Sequence, residues 1–374
     1  MLSQGIQNYI HTQQARILES SEQPFFKLQP FSPLTYYKDI TNSLYIDAIL
    51  AIRHAIKLAT DEYFTYQVGA QSVDLFMLTS SVSSPMGSGS DSEPVSIQFG
   101  DLQTYLTDSS QFGFEPLLFN THDKLYCYLP SMRGEDPDKR HLNQFFHCEL
   151  EMVGKFTELT PIVDGYLRTL IEVISAFDQL IQYISTNYEA TKKMIDQMVS
   201  VHKLPQYTFD EIFTKLSQQP DANDLVRATT YGRDITSLGE KRIFSLLNVH
   251  TPLWIIGYDR DRVPFYQKPD PNNINSVING DLIVPPITEN GFGGEIAGAG
   301  ERQDNVEEMY ESIRRQNCSP NPYEWYIDLR RDTRYRVTSG FGLGIERFLA
   351  WVLGRDNIRD VAIYPRLKNI IMYP

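Results

Sequence analysis

Near its C-terminal end the chain reads Ser339-Gly340-Phe341-Gly342-Leu343-Gly344-Ile345-Glu346-Arg347, followed by the apolar run Phe348-Leu349-Ala350-Trp351-Val352-Leu353. Glycine carries no Cβ, so a glycine-dense strand lets a flat ligand lie against bare backbone. The arginine at the start of the following helix can cap an aromatic ring or reach a phosphate with its planar fork. Alone, such a run reads equally well as a tight turn. A second block turns the reading toward a ligand site. It consists of Met132-Arg133-Gly134-Glu135, a short polar loop, then Arg140-His141-Leu142-Asn143-Gln144-Phe145 and Cys148-Glu149-Leu150-Glu151.

Further blocks follow the same order: Tyr105-Leu106-Thr107-Asp108-Ser109-Ser110-Gln111, Gly280-Asp281-Leu282-Ile283-Val284-Pro285, Gly294-Glu295-Ile296 and Asn357-Ile358-Arg359-Asp360-Val361. Together the blocks resemble motifs 2 and 3 of the class II aminoacyl-tRNA synthetases, and the asparaginyl and aspartyl branch matches best. The resemblance runs from about residue 105 to residue 366. It implies a synthetase-type antiparallel sheet flanked by helices, with ATP and Mg2+ as cofactors and a homodimer as the assembly.

Bulk properties set limits around this reading. A chain of 374 residues can bury a large core, and 41% hydrophobic with 12% aromatic residues fits a globular protein. The net charge of −13 disfavours non-specific polyanion binding, although a local basic face can still meet nucleic acid. Cys127, Cys148 and Cys318 are scattered without C-x-x-C spacing, which speaks against a zinc site or a disulfide framework. No secretory pattern opens the chain, and no run approaches the roughly 20 apolar residues of a membrane span. The expected location is cytoplasmic, with no membrane partner.

Residues 1–44 read as a polar, proline-containing N-terminal arm with one short helix, and 45–374 as the catalytic domain. Apolar residues at helical spacing over 45–59 predict a helix. By the resemblance it belongs to motif 1 and the dimer interface; by pattern alone it is an ordinary core helix. Residues 83–92 form a small-residue loop, a flexible connection or a closing flap. Strands are predicted at 95–99, 104–107, 125–129 and 144–152, suiting an antiparallel sheet. A helical segment occupies about 156–250, broken near Pro205, and strands resume at 252–257 and 281–284. Strands separated by a helical insertion give an α+β fold. The stretch before residue 45 is too short for an anticodon-binding barrel, so no such domain is expected.

The resemblance assigns roles. Activating a carboxylate with ATP needs alignment at the α-phosphorus, neutralisation of developing charge and support for the pyrophosphate. Arg133 would hold the α-phosphate. Glu135 would accept from the adenine amino group or hold Arg133. Arg140 and His141 would meet the terminal phosphates. Phe145 and Arg347 would sandwich adenine over Gly342 and Gly344, with Arg133 and Arg347 as the catalytic pair. Asp281 and Glu295 would ligate magnesium. For the amino acid, Gly340 gives backbone access and Arg302 would meet a side-chain oxygen. Glu115 would accept from a side-chain amide, and Gln111 and Glu149 would hold the α-ammonium. Phe145, Gln111 and Glu149 each also read as ordinary strand or core residues.

Departures from the family pattern concern the substrate. The usual E-G-A near motif 1 is not visible, and Pro85-Met86-Gly87-Ser88 is its nearest counterpart. Gln144 and Thr338 replace a usual glutamate and histidine. The ending Gly300-Glu301-Arg302 is similar to that of the archaeal asparagine synthetase related to asparaginyl-tRNA synthetase. These features favour a tRNA-independent, AMP-forming ligase that passes an Asp- or Asn-like acyl group to ammonia or another amine. The alternatives are an asparaginyl-type tRNA ligase and a non-catalytic regulatory paralogue.

Overall fold

The strand Gly294–Glu301 shows how the sequence builds the sheet, because its side chains alternate between two unlike faces. Ala297 and Ala299 pair with Leu343 and Phe341 on one face, while Gly298 and Gly300 pair with Gly342 and Gly340 on the other. The first face is greasy and the second is bare, so the sheet packs on one side and stays accessible on the other. The computed structural model describes residues 2–20, 26–84, 92–201 and 203–373. Pro85-Met86-Gly87-Ser88 therefore lies outside the described residues.

The main sheet contains β1 (Gln71–Ser72), β2 (Lys124–Met132), β3 (Gln144–Val153), β4 (Gln206–Thr208), β5 (Leu253–Ile256), β6 (Asn279–Val284), β7 (Gly294–Glu301) and β8 (Thr338–Gly344). Their spatial order is β1-β2-β3-β8-β7-β6-β5-β4. The pairings from β2 through β5 are antiparallel, as expected. The two edges differ from expectation: β1 and β4 join in parallel. Both are very short pieces delivered by long connections, and a tight hairpin cannot make that geometry.

The greasy face is covered by helices α1 (Gln4–Glu19), α2 (Leu44–Glu62) and α3 (Phe156–Ala176). Phe341, Leu343, Leu150 and Ala299 share one core with Ile49, Ile52, Ile56, Leu167, Leu170 and Ile174. The predicted short helix of the N-terminal arm is longer than its composition suggested. Ser3 caps α1 by accepting from the Ile6 N–H, and Ile6, Ile10 and Ile17 enter the same core. A stripe this sparse, at spacings of four and seven, is hidden among polar residues. The apolar stripe of α2 is also spent inside the chain, with Ile49, Ile52, Ala55 and Ile56 fully buried.

The segment expected to be helical over 156–250 is only partly so. After α3 and α4 (Tyr188–Val199) come strand β4, the short helix Phe209–Ser217 and a hairpin, Val226–Thr229 with Gly232–Ile235. Gly232 has φ +118°, a conformation that favours glycine and lets the hairpin turn. Helix α5 (Ser237–Leu247) follows. Phe209, Ile212, Ile243 and Phe244 then pack on Ile255 and Ile283, so this insertion closes one end of the accessible face. Phe265, Tyr266, Met309, Tyr323 and Tyr326 form another cluster, into which Phe112 packs. Helix α6 (Ile345–Val352) leaves the glycine strand, and its Phe348, Leu349, Trp351 and Val352 are fully buried.

Candidate active site

Register lines up the floor of the site. Asp281, Gly298, Gly342 and Glu149 stand in one row across four strands, and Asn279, Gly300, Gly340 and Glu151 stand in the next. The four glycines thus form a patch of bare backbone with carboxylates at its rim. A β-carbon on Gly342 would lie 3.4 Å from Glu149 Oε1, an ordinary contact, so this position is roofed by space. At Gly340 it would collide with Glu151 and come within 2.6 Å of Arg302 Nη2. Glycine is needed there because side chains already fill the space.

One cavity is lined by Arg133, Glu135, Arg140, His141, Phe145, Glu295, Gly342, Gly344 and Arg347, so the expected nucleotide residues do come together. The Arg133 guanidinium lies 5.5 Å from the Phe145 ring centre. Arg347 pairs with Glu295 at 2.9 Å. Among the described residues the buried Nε of Arg133 and the buried Nε and Nη1 of Arg140 have no hydrogen-bond partner. Desolvated donors without acceptors are costly, and an anionic ligand would relieve that cost. Asn143 Nδ2 donates to the carbonyls of Arg133 and Glu135 at 2.8 Å each, which fixes the loop carrying them. Glu135 accepts from the Glu93 N–H at 3.3 Å. His141 is held below its ordinary value by burial and by Arg347, despite Asp138 at 2.9 Å.

A second cavity adjoins the first. Its walls include Ser109, Gln111, Glu149, Tyr266, Gln267, Asp281, Arg302 and Gly340, and it shares Arg133, His147, Glu295 and Gly342 with the nucleotide cavity. Arg133 therefore stands at the junction of the two. Glu149 accepts from Ser109 Oγ at 2.5 Å and from the Ser110 N–H at 2.7 Å. Burial pushes its carboxyl up, but His147 and these donors outweigh burial and keep it below the usual range. An ionised carboxylate in this wall suits an ammonium group. Asp108 accepts from Ser83 and Ser84 and so holds the chain at these two residues on this side.

The side-chain end of this cavity differs from expectation. Arg302 is buried and bound to Glu151, with Nη2 at 2.8 Å, and it also donates to Gln111 Oε1. Gln111 Nε2 donates to Glu115 at 3.3 Å, so both ends of this amide are engaged by protein groups. Glu115, expected to meet the substrate, is not in the wall. It is fully buried behind Gln111, paired with Arg330 at 2.6 Å, and accepts from Tyr326 Oη. A buried carboxylate needs a cation, and Arg330 supplies it from a segment 215 residues later in the sequence.

Asp281 and Glu295 approach each other over Gly298, whose β-carbon would lie 3.4 and 3.6 Å from their nearest oxygens. Burial and then the Glu295 charge push Asp281 well above the usual carboxylate range, while Arg347, Arg133 and Arg140 outweigh burial and hold Glu295 below it. Two facing carboxylates fit magnesium, which takes one or two such ligands and completes its shell with phosphate oxygens and water. Among the described residues no group of three or more His, Cys, Asp or Glu side chains forms an all-protein metal site.

Three participants escaped the sequence reading. Glu151 was visible in Glu149-Leu150-Glu151, whose alternation puts both carboxylates on one face, but it received no role. Glu346 accepts from the Phe146 N–H at 2.9 Å and pairs with Arg53 of α2 at 2.8 Å, tying the core helix to the site strands. Glu240 reaches Arg140 from the insertion and left no local signal.

Comparison with known proteins identifies the family and the fold. The family model described as tRNA synthetases class II (D, K and N) matches residues 35–368. The chain is 29% identical to the asparagine--tRNA ligase of Thermoplasma acidophilum, over 85% of this chain and 69% of that protein. It is 30% identical to the asparagine--tRNA ligase of Pyrococcus abyssi, over 74% of this chain and 60% of the relative. Among solved structures, asparaginyl-tRNA synthetase from Pyrococcus horikoshii complexed with asparaginyl-adenylate superposes with a TM-score of 0.78 at 24% identity, covering 96% of this chain and 75% of that one. The Entamoeba histolytica asparaginyl-tRNA synthetase gives 0.74 at 22% identity, covering 91% and 72%. These two likenesses are of fold.

Proposed function

Since the chain belongs to the class II tRNA synthetases of the D, K and N group, we propose that it is an asparaginyl-type ligase that activates asparagine with ATP and transfers the acyl group to tRNA. The observation that carries the reading is the position of Arg133, on the wall shared by the nucleotide cavity and the amino-acid cavity. A guanidinium at that junction neutralises the α-phosphate as the substrate carboxylate attacks it. Phe145 offers a ring for one face of adenine and Arg347 the cap for the other, Arg140 and His141 answer the terminal phosphates, and Glu149 holds the α-ammonium. Asp281 and Glu295 would hold magnesium, which supplies charge neutralisation at the phosphates when bound.

The tRNA-independent amide-forming reaction favoured by the sequence departures gives way to this reading. The relatives are named as asparagine--tRNA ligases, and Glu301 of the Gly-Glu-Arg ending faces the helix layer, where it accepts from the Phe156 N–H. A homodimer belongs to the proposal; Leu50 on α2 and Tyr66, just beyond its C-terminal end, are exposed and available to a second copy. No described helix is long and apolar enough to cross a membrane.

The test is AMP release from ATP with asparagine, aspartate or ammonium, each with and without tRNA. Label from asparagine appearing on tRNA is the expected result. AMP formed with a new free amide and no tRNA would replace this proposal with the ammonia-using ligase. Exchanging Glu295 for glutamine is expected to raise the magnesium needed for half-maximal pyrophosphate exchange by about tenfold or more, since even groups that only support a metal ligand are worth that much. An unchanged magnesium curve would remove Glu295 from the metal site.

A further inference from the structure

Glu240 lies in the insertion, on α5, one hundred residues from the loop it touches. Its Oε2 accepts from Arg140 Nη2 at 2.6 Å, and both side chains are about five-sixths buried, at 16% and 15% exposure. The next residue, Lys241, donates from Nζ to the Gly291 carbonyl at 2.9 Å. One helix thus grips both the phosphate-loop arginine and the turn that leads into Glu295. The seat of the pair is shaped for it. Gly294 has φ +113°, and a β-carbon there would collide with the Glu240 carboxylate and sit 2.7 Å from Arg140 Nη2. Arg140 also lies over the Phe292 ring at 5.5 Å.

An arginine has five N–H donors in a rigid fork. Glu240 occupies Nη2, while Nε and Nη1 remain buried without partners among the described residues, on a side chain that lines the nucleotide cavity. We propose that Glu240 is a positioning residue for the terminal phosphates of ATP: it clamps Arg140 through Nη2 and leaves the Nε and Nη1 donors for the nucleotide. It also gives Arg140 a carboxylate of its own, so that Glu295 stays with Arg347 and the metal. The inference rests on the nucleotide reading above and adds a role for the insertion in it.

The test is equilibrium binding of ATP with magnesium, and separately of AMP, to the full chain as wild type, Glu240→Gln, Glu240→Ala, Arg140→Ala and the Glu240→Ala/Arg140→Ala double variant. Loss of one charge-assisted bond to the clamp is expected to weaken ATP about tenfold in Glu240→Ala. Glu240→Gln keeps an acceptor oxygen and is expected to lose less. AMP binding should be unchanged, and in the Arg140→Ala background the Glu240 change should add nothing. Equal losses for ATP and AMP, or additive losses in the double variant, would overturn the positioning role. If Glu240→Ala does not fold, the glutamine variant carries the same comparison: an ATP-only loss supports the role, and no loss or an equal loss refutes it. Failure of the wild type to bind ATP would overturn the nucleotide reading itself and Glu240's role with it.

Discussion

Replacing Arg133 with alanine is expected to lower asparagine-dependent pyrophosphate exchange by about 10²–10³, the usual loss when one preorganised donor to a developing oxyanion is removed. Three observations converge on this residue. Among the described arginines it alone lines both cavities, where the two proposed substrates would join. Its buried Nε has no acceptor among the described residues, and an anionic ligand there would relieve that desolvation cost. Its backbone is pinned by Asn143 and by a bond from Arg133 N to the Asn143 carbonyl at 3.1 Å, so the guanidinium starts from a fixed base. Because the interaction grows as charge develops, the loss should fall mainly on kcat, with a smaller change in KM for ATP. Arg133→Lys retains the charge and loses the planar fork, so it should recover part of the rate. Pyrophosphate exchange in Arg133→Ala within threefold of wild type would exclude Arg133 from the transition state, whatever the variant does to nucleotide binding.

The clustering of the proposed nucleotide residues in one cavity was legible because they are written in contiguous runs. Arg133, Arg140, His141 and Phe145 sit on one loop and strand, and Gly342, Gly344 and Arg347 on one strand-to-helix turn. Local alternation is enough to bring each run to one face. The amino-acid half was legible only as a set of residues and not as a set of partners. Glu115 carries the charge that an amide would seek, and nothing near it in sequence announces that Arg330 already neutralises it. Glu240 is harder still, since its contact with Arg140 depends on how a whole insertion packs through Ile243 and Phe244 onto Ile255 and Ile283. The N-terminal helix was underestimated for another reason. Three isoleucines suffice to dock it once α2 and α3 present a finished apolar face, whereas intrinsic pattern alone calls for more.

The buried chain of charges behind the amino-acid cavity should couple stability to substrate recognition. Arg330 and Glu115 have no exposed side-chain surface and meet at 2.6 Å, and Gln111 joins Glu115 to Arg302, which in turn holds Glu151. Arg330 also donates to Tyr326 Oη and to the Gln303 carbonyl at 2.9 Å each, and its guanidinium stacks over the Tyr326 ring at 4.1 Å. Arg330→Leu leaves Glu115 as an unpaired carboxylate in the interior, and breaking a buried pair from one side costs about 3–5 kcal/mol. Urea denaturation should show that loss. The double variant Arg330→Leu/Glu115→Leu removes both charges and should regain much of the stability, because an apolar replacement of a whole buried pair is often close to neutral. Recognition should not return with stability. Without Glu115, Gln111 loses the acceptor for its Nε2 and is free to turn its Oε1 away from Arg302, so KM for asparagine should stay raised in the double variant while KM for ATP stays near wild type. That split separates a residue that aligns the amino-acid pocket from one that merely holds the fold. Recovery of both stability and asparagine KM in the double variant would show that the chain of charges serves packing alone.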